Sequence, residues 1–212
     1  MHLSIIIPYR DRADHLEVFM NETVGKINAD SYDIIVVNQA DNNGVRKPFN
    51  RAKLLNVGFD YVKDKSDYVC FHDIDMIPAN VDYSYPDKPY HLAVNVPQAS
   101  AGYYGGVNLF NKEDFINING FSNEYWGWGG EDDDLLNRIK SVGYNIYRRD
   151  GKFKSLYHEP NGPQHENYAD NLARCRGVYD YQTEGLNTLT YGLEKVTKLR
   201  DNVFMIDVHI WF

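Results

Sequence analysis

The sequence predicts an α/β fold: one domain with a mostly parallel central sheet flanked by helices. Near-continuous apolar runs at Leu3–Pro8, Tyr32–Asn38 and Tyr68–His72 read as strands covered on both faces. Apolar residues between them recur at helical spacing. The resulting order of strand, helix, strand, helix, strand is that of βαβ units, whose parallel strands carry helices on both faces of the sheet.

Taken in order, Leu16, Phe19, Met20, Val24 and Ile27 line one face of a first helix. Asp41 to Gly44 forms a turn or loop after the second strand. Leu54, Leu55, Phe59 and Val62 line a second helix that follows Phe49 and Arg51. The third strand runs straight into Asp73-Ile-Asp75. Further strands are expected at His91–Val96 and Gly105–Phe110, with a short helix over Lys112–Ile118 and a strand at Tyr144–Arg148. Leu135, Leu136, Ile139 and Val142 repeat on one face of a helix that Gly143 ends. In the tail, Phe204, Ile206, Val208 and Ile210 alternate as in a half-buried edge strand. No repeat, low-complexity tract or linker interrupts residues 1–212. A single domain is expected, with two functional halves, 1–107 and 108–212.

Composition narrows the function. A net charge of −8 argues against a nucleic-acid polymer as partner. Seventeen tyrosines and three tryptophans suit a surface that handles carbohydrate. Cys70 and Cys175 are too few for a disulfide framework, and Cys70 sits in an apolar strand as a core thiol. No run is long and apolar enough to span a membrane, and the N-terminus reads as a strand rather than a signal peptide. A cytoplasmic protein, or one domain of a longer one, is the expectation.

The chemistry concentrates at predicted strand ends, where open α/β sheets bind ligands. Arg10 and Arg12 follow the first strand, Gln39 the second, and Asp73 and Asp75 the third. Guanidinium forks match phosphate oxygens. Paired acids offer hard oxygen ligands to magnesium or manganese, and an extended chain would point both the same way. The second concentration is Trp126-Gly-Trp-Gly-Gly-Glu131-Asp132-Asp133-Asp134, two indoles followed by four acids at a helix N-terminus. Indole packs on apolar sugar faces while carboxylates hold hydroxyls. A glycine-rich acidic loop also suits calcium or a plain helix cap. His158, His165 and His72 are all candidate ligands, and spacing does not choose among them. Dinucleotide, ATP-loop, zinc-protease and serine-hydrolase signatures are absent.

Together these motifs resemble the β-1,4-galactosyltransferase family of GT-A glycosyltransferases, whose fold is a Rossmann-like sheet. The likeness rests on Pro8-Tyr-Arg-Asp-Arg12, Phe49-Asn-Arg-Ala-Lys-Leu-Leu-Asn-Val-Gly58, Asp73-Ile-Asp-Met-Ile-Pro78, Tyr104-Gly-Gly-Val107, Asn119-Gly-Phe121, Tyr125 to Asp134 and Glu184 to Tyr191, in the family's order. The family's membrane anchor and stem have no counterpart, which implies a soluble bacterial or viral type of member or a trimmed piece of a longer protein. The resemblance implies inverting transfer from a UDP-sugar, most often UDP-galactose, to a saccharide acceptor, with Mn2+ or Mg2+ as cofactor. It assigns Pro8, Arg10, Arg12, Phe49, Arg51, Asp73, Ile74, Gly106 and Trp128 to the nucleotide sugar. Asp75 and His158 would ligate the metal. Tyr103, Gly129, Gly130, Glu131, Asp132 and Asp133 would meet the acceptor, with Asp132 as general base. Tyr103 also matches a position where bulk favours galactose over N-acetylgalactosamine.

Two departures bear on substrates. Ser155, Leu156 and Tyr157 stand where relatives carry a further metal ligand, so either water would complete the metal's shell or metal affinity would be lower. Gln164, His165, Glu166, Asn167 and Tyr168 replace the segment that packs an N-acetyl group in GlcNAc-specific members, which leaves xylose or another hexose open. The alternatives are the same reaction with UDP-glucose, an inactive glycan-binding relative, a calcium-binding domain on Glu131 to Asp134, and a hydrolase with paired carboxylates.

Overall fold

The computed structural model describes residues 1–42, 44–96, 102–158, 167–177 and 179–211. Strand β1 (His2–Tyr9), helix α1 (Ala13–Thr23), strand β2 (Ser31–Gln39), helix α2 (Arg51–Val62) and strand β3 (Tyr68–His72) form the expected βαβαβ start. They are followed by β4 (Met76–Val81), β5 (Tyr90–His91), β6 (Val107–Asn111), α3 (Lys112–Asn117) and α4 (Glu131–Ser141). The chain then runs through β7 (Tyr147–Arg148), β8 (Gly151–Ser155), α5 (Tyr168–Arg176), β9 (Gly192–Arg200) and β10 (Val203–His209).

The main sheet has the order β7-β5-β6-β3-β1-β2-β10-β9, and β4 pairs with β8 in a small second sheet. Its centre, β3-β1-β2-β10, is all parallel, while β6 and β9 join antiparallel. Strand β1 shows why: Ile6 enters one core and Ile5 and Ile7 the other, so both faces are covered. Helix α2 lies close on β1. A Cβ at Gly58 would collide with the Ile6 side chain, so this close approach requires glycine. Phe71 meets the rings of Phe110, Phe115 and Phe121 at 4.5–5.8 Å between centroids. Such pairs contribute roughly 0.5–1.5 kcal/mol each beyond their buried area.

Several expectations are corrected. The tail strand is not an edge: β10 lies between β2 and β9, and β9 takes the edge. β9 carries mostly exposed residues, so apolar patterning did not reveal it. Of the expected His91–Val96 strand only His91 enters the main sheet, as the end of β5, although Asn95 makes an isolated bridge to Lys152. Of Tyr144–Arg148 only the last two residues form a strand. Helix α1 ends at Thr23, and extended backbone at Val24 takes Val24 and Ile27 out of the helix. The β4–β8 ribbon was not foreseen. Among the described residues, no helix is long and apolar enough to cross a membrane.

Candidate active site

The carboxyl ends of β1, β2 and β3 converge with the start of α4. Helix α2 is pinned there by Gln39, whose side chain donates to the Pro48 carbonyl at 2.8 Å and accepts from the Asn50 amide at 2.9 Å. Asn50 then caps α2 by accepting from the Lys53 amide at 2.8 Å. Gln39 therefore serves the scaffold that presents Arg51. The Gly127 amide donates to the Phe49 carbonyl at 2.8 Å and ties the tryptophan-glycine loop to the same segment.

Arg51 is the centre of the site. Its Nε donates to Asp73 Oδ1 at 2.7 Å and its Nη1 to Asp132 Oδ1 at 2.9 Å, with Glu131 at 3.9 Å. One guanidinium thus joins the acid after β3 to the acids that open α4. Its buried Nη2 has no hydrogen-bond partner among the described residues, so a donor is left over for an oxygen ligand. The carboxylates are crowded and poorly hydrated. Burial pushes Asp73 up to about 6, with Asp75 and Asp132 adding to the rise and Arg51 opposing it. Burial and Asp132 push Glu131 up to about 7 despite its place at a helix N-terminus. Burial and Asp132 also raise Asp133.

Asp73-Ile-Asp75 does not stay extended. The Met76 amide donates to the Asp73 carbonyl at 3.1 Å, and the chain turns directly into β4. That turn sends the two acids to different partners. Asp73 goes to Arg51, and Asp75 Oδ2 lies 3.1 Å from His158 Nε2. The β4–β8 register explains the second contact. Met76 faces Ser155, and the Leu156 amide donates to the Asp75 carbonyl at 2.8 Å, so His158 follows onto Asp75. A carboxylate oxygen and an imidazole nitrogen at this separation fit two neighbouring positions on one divalent cation with bonds of roughly 2.2 Å. Among the described residues, no group of three His, Cys, Asp or Glu side chains surrounds such a position.

His72 is not a ligand. It is fully buried, with Nδ1 on the Asp73 carbonyl at 2.9 Å and Nε2 on the Tyr83 hydroxyl at 3.1 Å. His165, with residues Gln164 and Glu166, lies outside the described residues.

The other residues expected to hold the nucleotide lie in or just after β1, before α2 and in the Asp73–Asp75 turn. Pro8 lies within the buried run of β1, which continues to Tyr9, and Ile74 is buried in the turn between the two acids. Arg10 donates to the Lys47 carbonyl at 2.7 Å and lies over the Phe49 ring at 5.3 Å. Arg12 Nη1 lies 3.4 Å from His15 Nδ1, and His15 Nε2 lies 3.1 Å from the Tyr157 carbonyl, next to His158.

Trp128, expected to line the donor sugar, stacks on Tyr168 at 5.3 Å between centroids. Gly129 and Gly130 hold φ of 97° and 88°, a left-handed turn that starts α4 at Glu131. The Asp73 amide donates to the Gly106 carbonyl at 3.0 Å, and the Tyr103 hydroxyl lies 3.2 Å from where a Gly106 Cβ would stand. A Cβ at Gly105 would meet both Asp132 Oδ2 and the Tyr103 ring, so that ring lies beside the acidic centre; burial raises its hydroxyl, and Asp73, Asp132 and Asp75 raise it further.

The four acids of α4 divide. Asp134 turns inward to Arg138 at 2.8 Å and accepts from the Tyr179 hydroxyl, while Arg138 reaches Glu184 at 2.9 Å. Arg138 is fully buried, so this network is part of the core that carries α4. Sequence reasoning also passed over Gly105. Its ideal Cβ would lie 2.5 Å from Asp132 Oδ2, so the bare backbone at this position makes room for the carboxylate. Within Tyr104-Gly-Gly-Val107, the paired glycines were the available signal.

Comparison with known proteins bears on the family. A profile described as the N-terminal region of glycosyl transferase group 7 matches residues 1–86. A second, described as the N-terminal domain of galactosyltransferase, matches residues 91–160. β-1,4-Galactosyltransferase 1 of Bos taurus is 36% identical over 92% of this chain, and that of Homo sapiens 37% identical over 89%. The chain spans about half the length of the curated relatives it matches, 51% and 50% for these two. The catalytic domain of Drosophila β-1,4-galactosyltransferase 7, solved with xylobiose, superposes with a TM-score of 0.86 at 30% identity, covering 100% of this chain and 94% of that one. A mutant of the same Drosophila enzyme, solved with manganese, UDP-Gal and xylobiose, gives a TM-score of 0.81 at 29% identity, with the same coverage. The α/β sheet, the ordered motifs and these matches have one reading: the chain belongs to the β-1,4-galactosyltransferase family of glycosyltransferases.

Proposed function

We propose that this protein transfers galactose from UDP-galactose to a hydroxyl of a saccharide acceptor, with inversion at the anomeric carbon and a β-1,4 product. The observation that carries the reading is Arg51, which joins Asp73 to Asp132 and so sets a base beside a nucleotide-sugar site. The complexes of the Drosophila relative with UDP-Gal, manganese and xylobiose support it. Residues 1–107 hold the nucleotide sugar and residues 108–212 supply most of the acceptor side.

In this reading Pro8, Arg10, Arg12 and Phe49 bind the uridine and its diphosphate, with Arg51 Nη2 as a further donor. Asp73 and Ile74 contact the nucleotide, while Gly106 and Trp128 line its sugar. Asp75 and His158 hold Mn2+, which supplies positive charge against the departing diphosphate when bound. Tyr103, Gly129, Gly130, Glu131 and Asp133 orient the acceptor. Asp132 has one oxygen engaged by Arg51, so Oδ2, facing the Gly105 backbone, is the atom that takes the proton. The acceptor oxygen forms its bond to the anomeric carbon as the bond to the β-phosphate oxygen breaks. The electron pair leaves on UDP and the acceptor proton passes to Asp132.

The test is UDP release from UDP-galactose with manganese and xylobiose or other saccharides, in the native chain and in Asp132→Asn. The substitution is expected to lower turnover by about 10²–10⁴-fold while UDP-galactose still binds. An Asn variant of undiminished turnover places the base elsewhere.

A further inference from the structure

The turn that enters β6 is gripped from behind. Three successive carbonyls are captured by side chains: Tyr103 by Arg148 Nη2 at 3.0 Å, Tyr104 by Asn108 Nδ2 at 3.0 Å, and Gly105 by His91 Nε2 at 2.8 Å. Arg148 Nη1 also meets His91 Nδ1 at 2.5 Å. A guanidinium only donates, so Nδ1 accepts and the ring is the neutral tautomer with its proton on Nε2. Burial agrees, pushing His91 down to about 4. The ring stacks on Tyr104 at 5.2 Å and meets Tyr103 edge-on at 5.4 Å. Strands β5 and β7 bring the pair together, since His91 and Arg148 are register partners.

We propose that His91 and Arg148 are positioning residues whose clamp on the Tyr103–Gly105 backbone sets which donor sugar the site admits. This rests on the transferase reading above. Residues 103–105 belong to no strand, so these hydrogen bonds substitute for sheet pairing. The turn also carries the Tyr103 ring, which the His91 ring meets and whose hydroxyl stands over Gly106, the residue that lines the donor sugar in that reading. A ring fixed there limits the bulk a donor can carry. With the clamp loosened, the ring gains freedom to yield to a larger substituent such as an acetamido group.

The experiment measures calorimetric Kd values, with manganese, for UDP, UDP-galactose and UDP-N-acetylgalactosamine. Arg148 is exposed, so Arg148→Met is expected to fold. His91→Phe removes both ring hydrogen bonds, and His91→Gln restores a donor toward Gly105. The native protein is expected to prefer UDP-galactose. Arg148→Met and His91→Phe narrow that preference about tenfold, leave UDP unchanged, and His91→Gln recovers most of it. A merely structural loss would weaken both sugars alike. A native protein without preference, or a folded Arg148→Met variant with the native ratio, overturns the clamp. A native protein that does not bind UDP with manganese refutes the transferase reading itself, and the clamp with it.

Discussion

Gly105→Ala tests the placement of the base most directly. Gly105 does not adopt a positive φ, so alanine meets no backbone strain. Its methyl would stand 2.5 Å from Asp132 Oδ2 and 2.8–3.0 Å from the Tyr103 ring. A carbon and an oxygen approach comfortably to about 3.3 Å, so the carboxylate must retreat by about 0.8 Å. Asp132 is the end of a short side chain at the mouth of the site and moves at small cost to folding. Catalysis is less tolerant, because a reacting group misplaced by about 1 Å loses on the order of 100-fold in rate. That equals about 2.7 kcal/mol of transition-state stabilisation. Steady-state kinetics with UDP-galactose should show kcat falling by that order, while UDP binding and the melting temperature stay close to native. A variant whose kcat stays within threefold of native refutes the seat assigned to Asp132. One that unfolds refutes the claim that the collision is confined to the site.

Two further outcomes are expected. Asp75→Ala and His158→Ala should each weaken manganese-dependent UDP binding at least about tenfold in a metal titration, and an unchanged manganese affinity removes that residue from the ligand set. Stability should fall in acid through His72. Burial holds its folded pKa down at about 4 against 6.5 for the free side chain, with the Asp73 carbonyl partly opposing the shift. Its contribution is complete above pH 6.5 and is lost as pH falls toward 4, by about 3 kcal/mol in all. Urea melts at pH 7 and pH 4.5 should differ less in His72→Gln than in the native protein; equal differences would assign the acid sensitivity to another group.

The sequence by itself determined the βαβαβ start, because strands buried on both faces must be apolar throughout. It also marked the candidate site residues, because arginines, paired acids and the Trp126 to Asp134 stretch fall at strand ends and a helix start. Gly129 and Gly130 were legible for the same local reason, since the left-handed turn into α4 tolerates little else. Exposed β9, the short β5 and β7, and the β4–β8 ribbon were not, since pairing rather than apolar patterning defines them. Only tertiary structure decided how the acids divide. Asp73 and Asp75, alike in sequence, separate because the chain turns between them and the β4–β8 register brings His158 to the second. Asp132 and Asp134, equally alike, separate because residues two apart on a helix point about 200° apart. One therefore faces Arg51 across the site and the other Arg138 in the core. Local sequence marks where charge is placed, and long-range pairing decides which partner each charge meets.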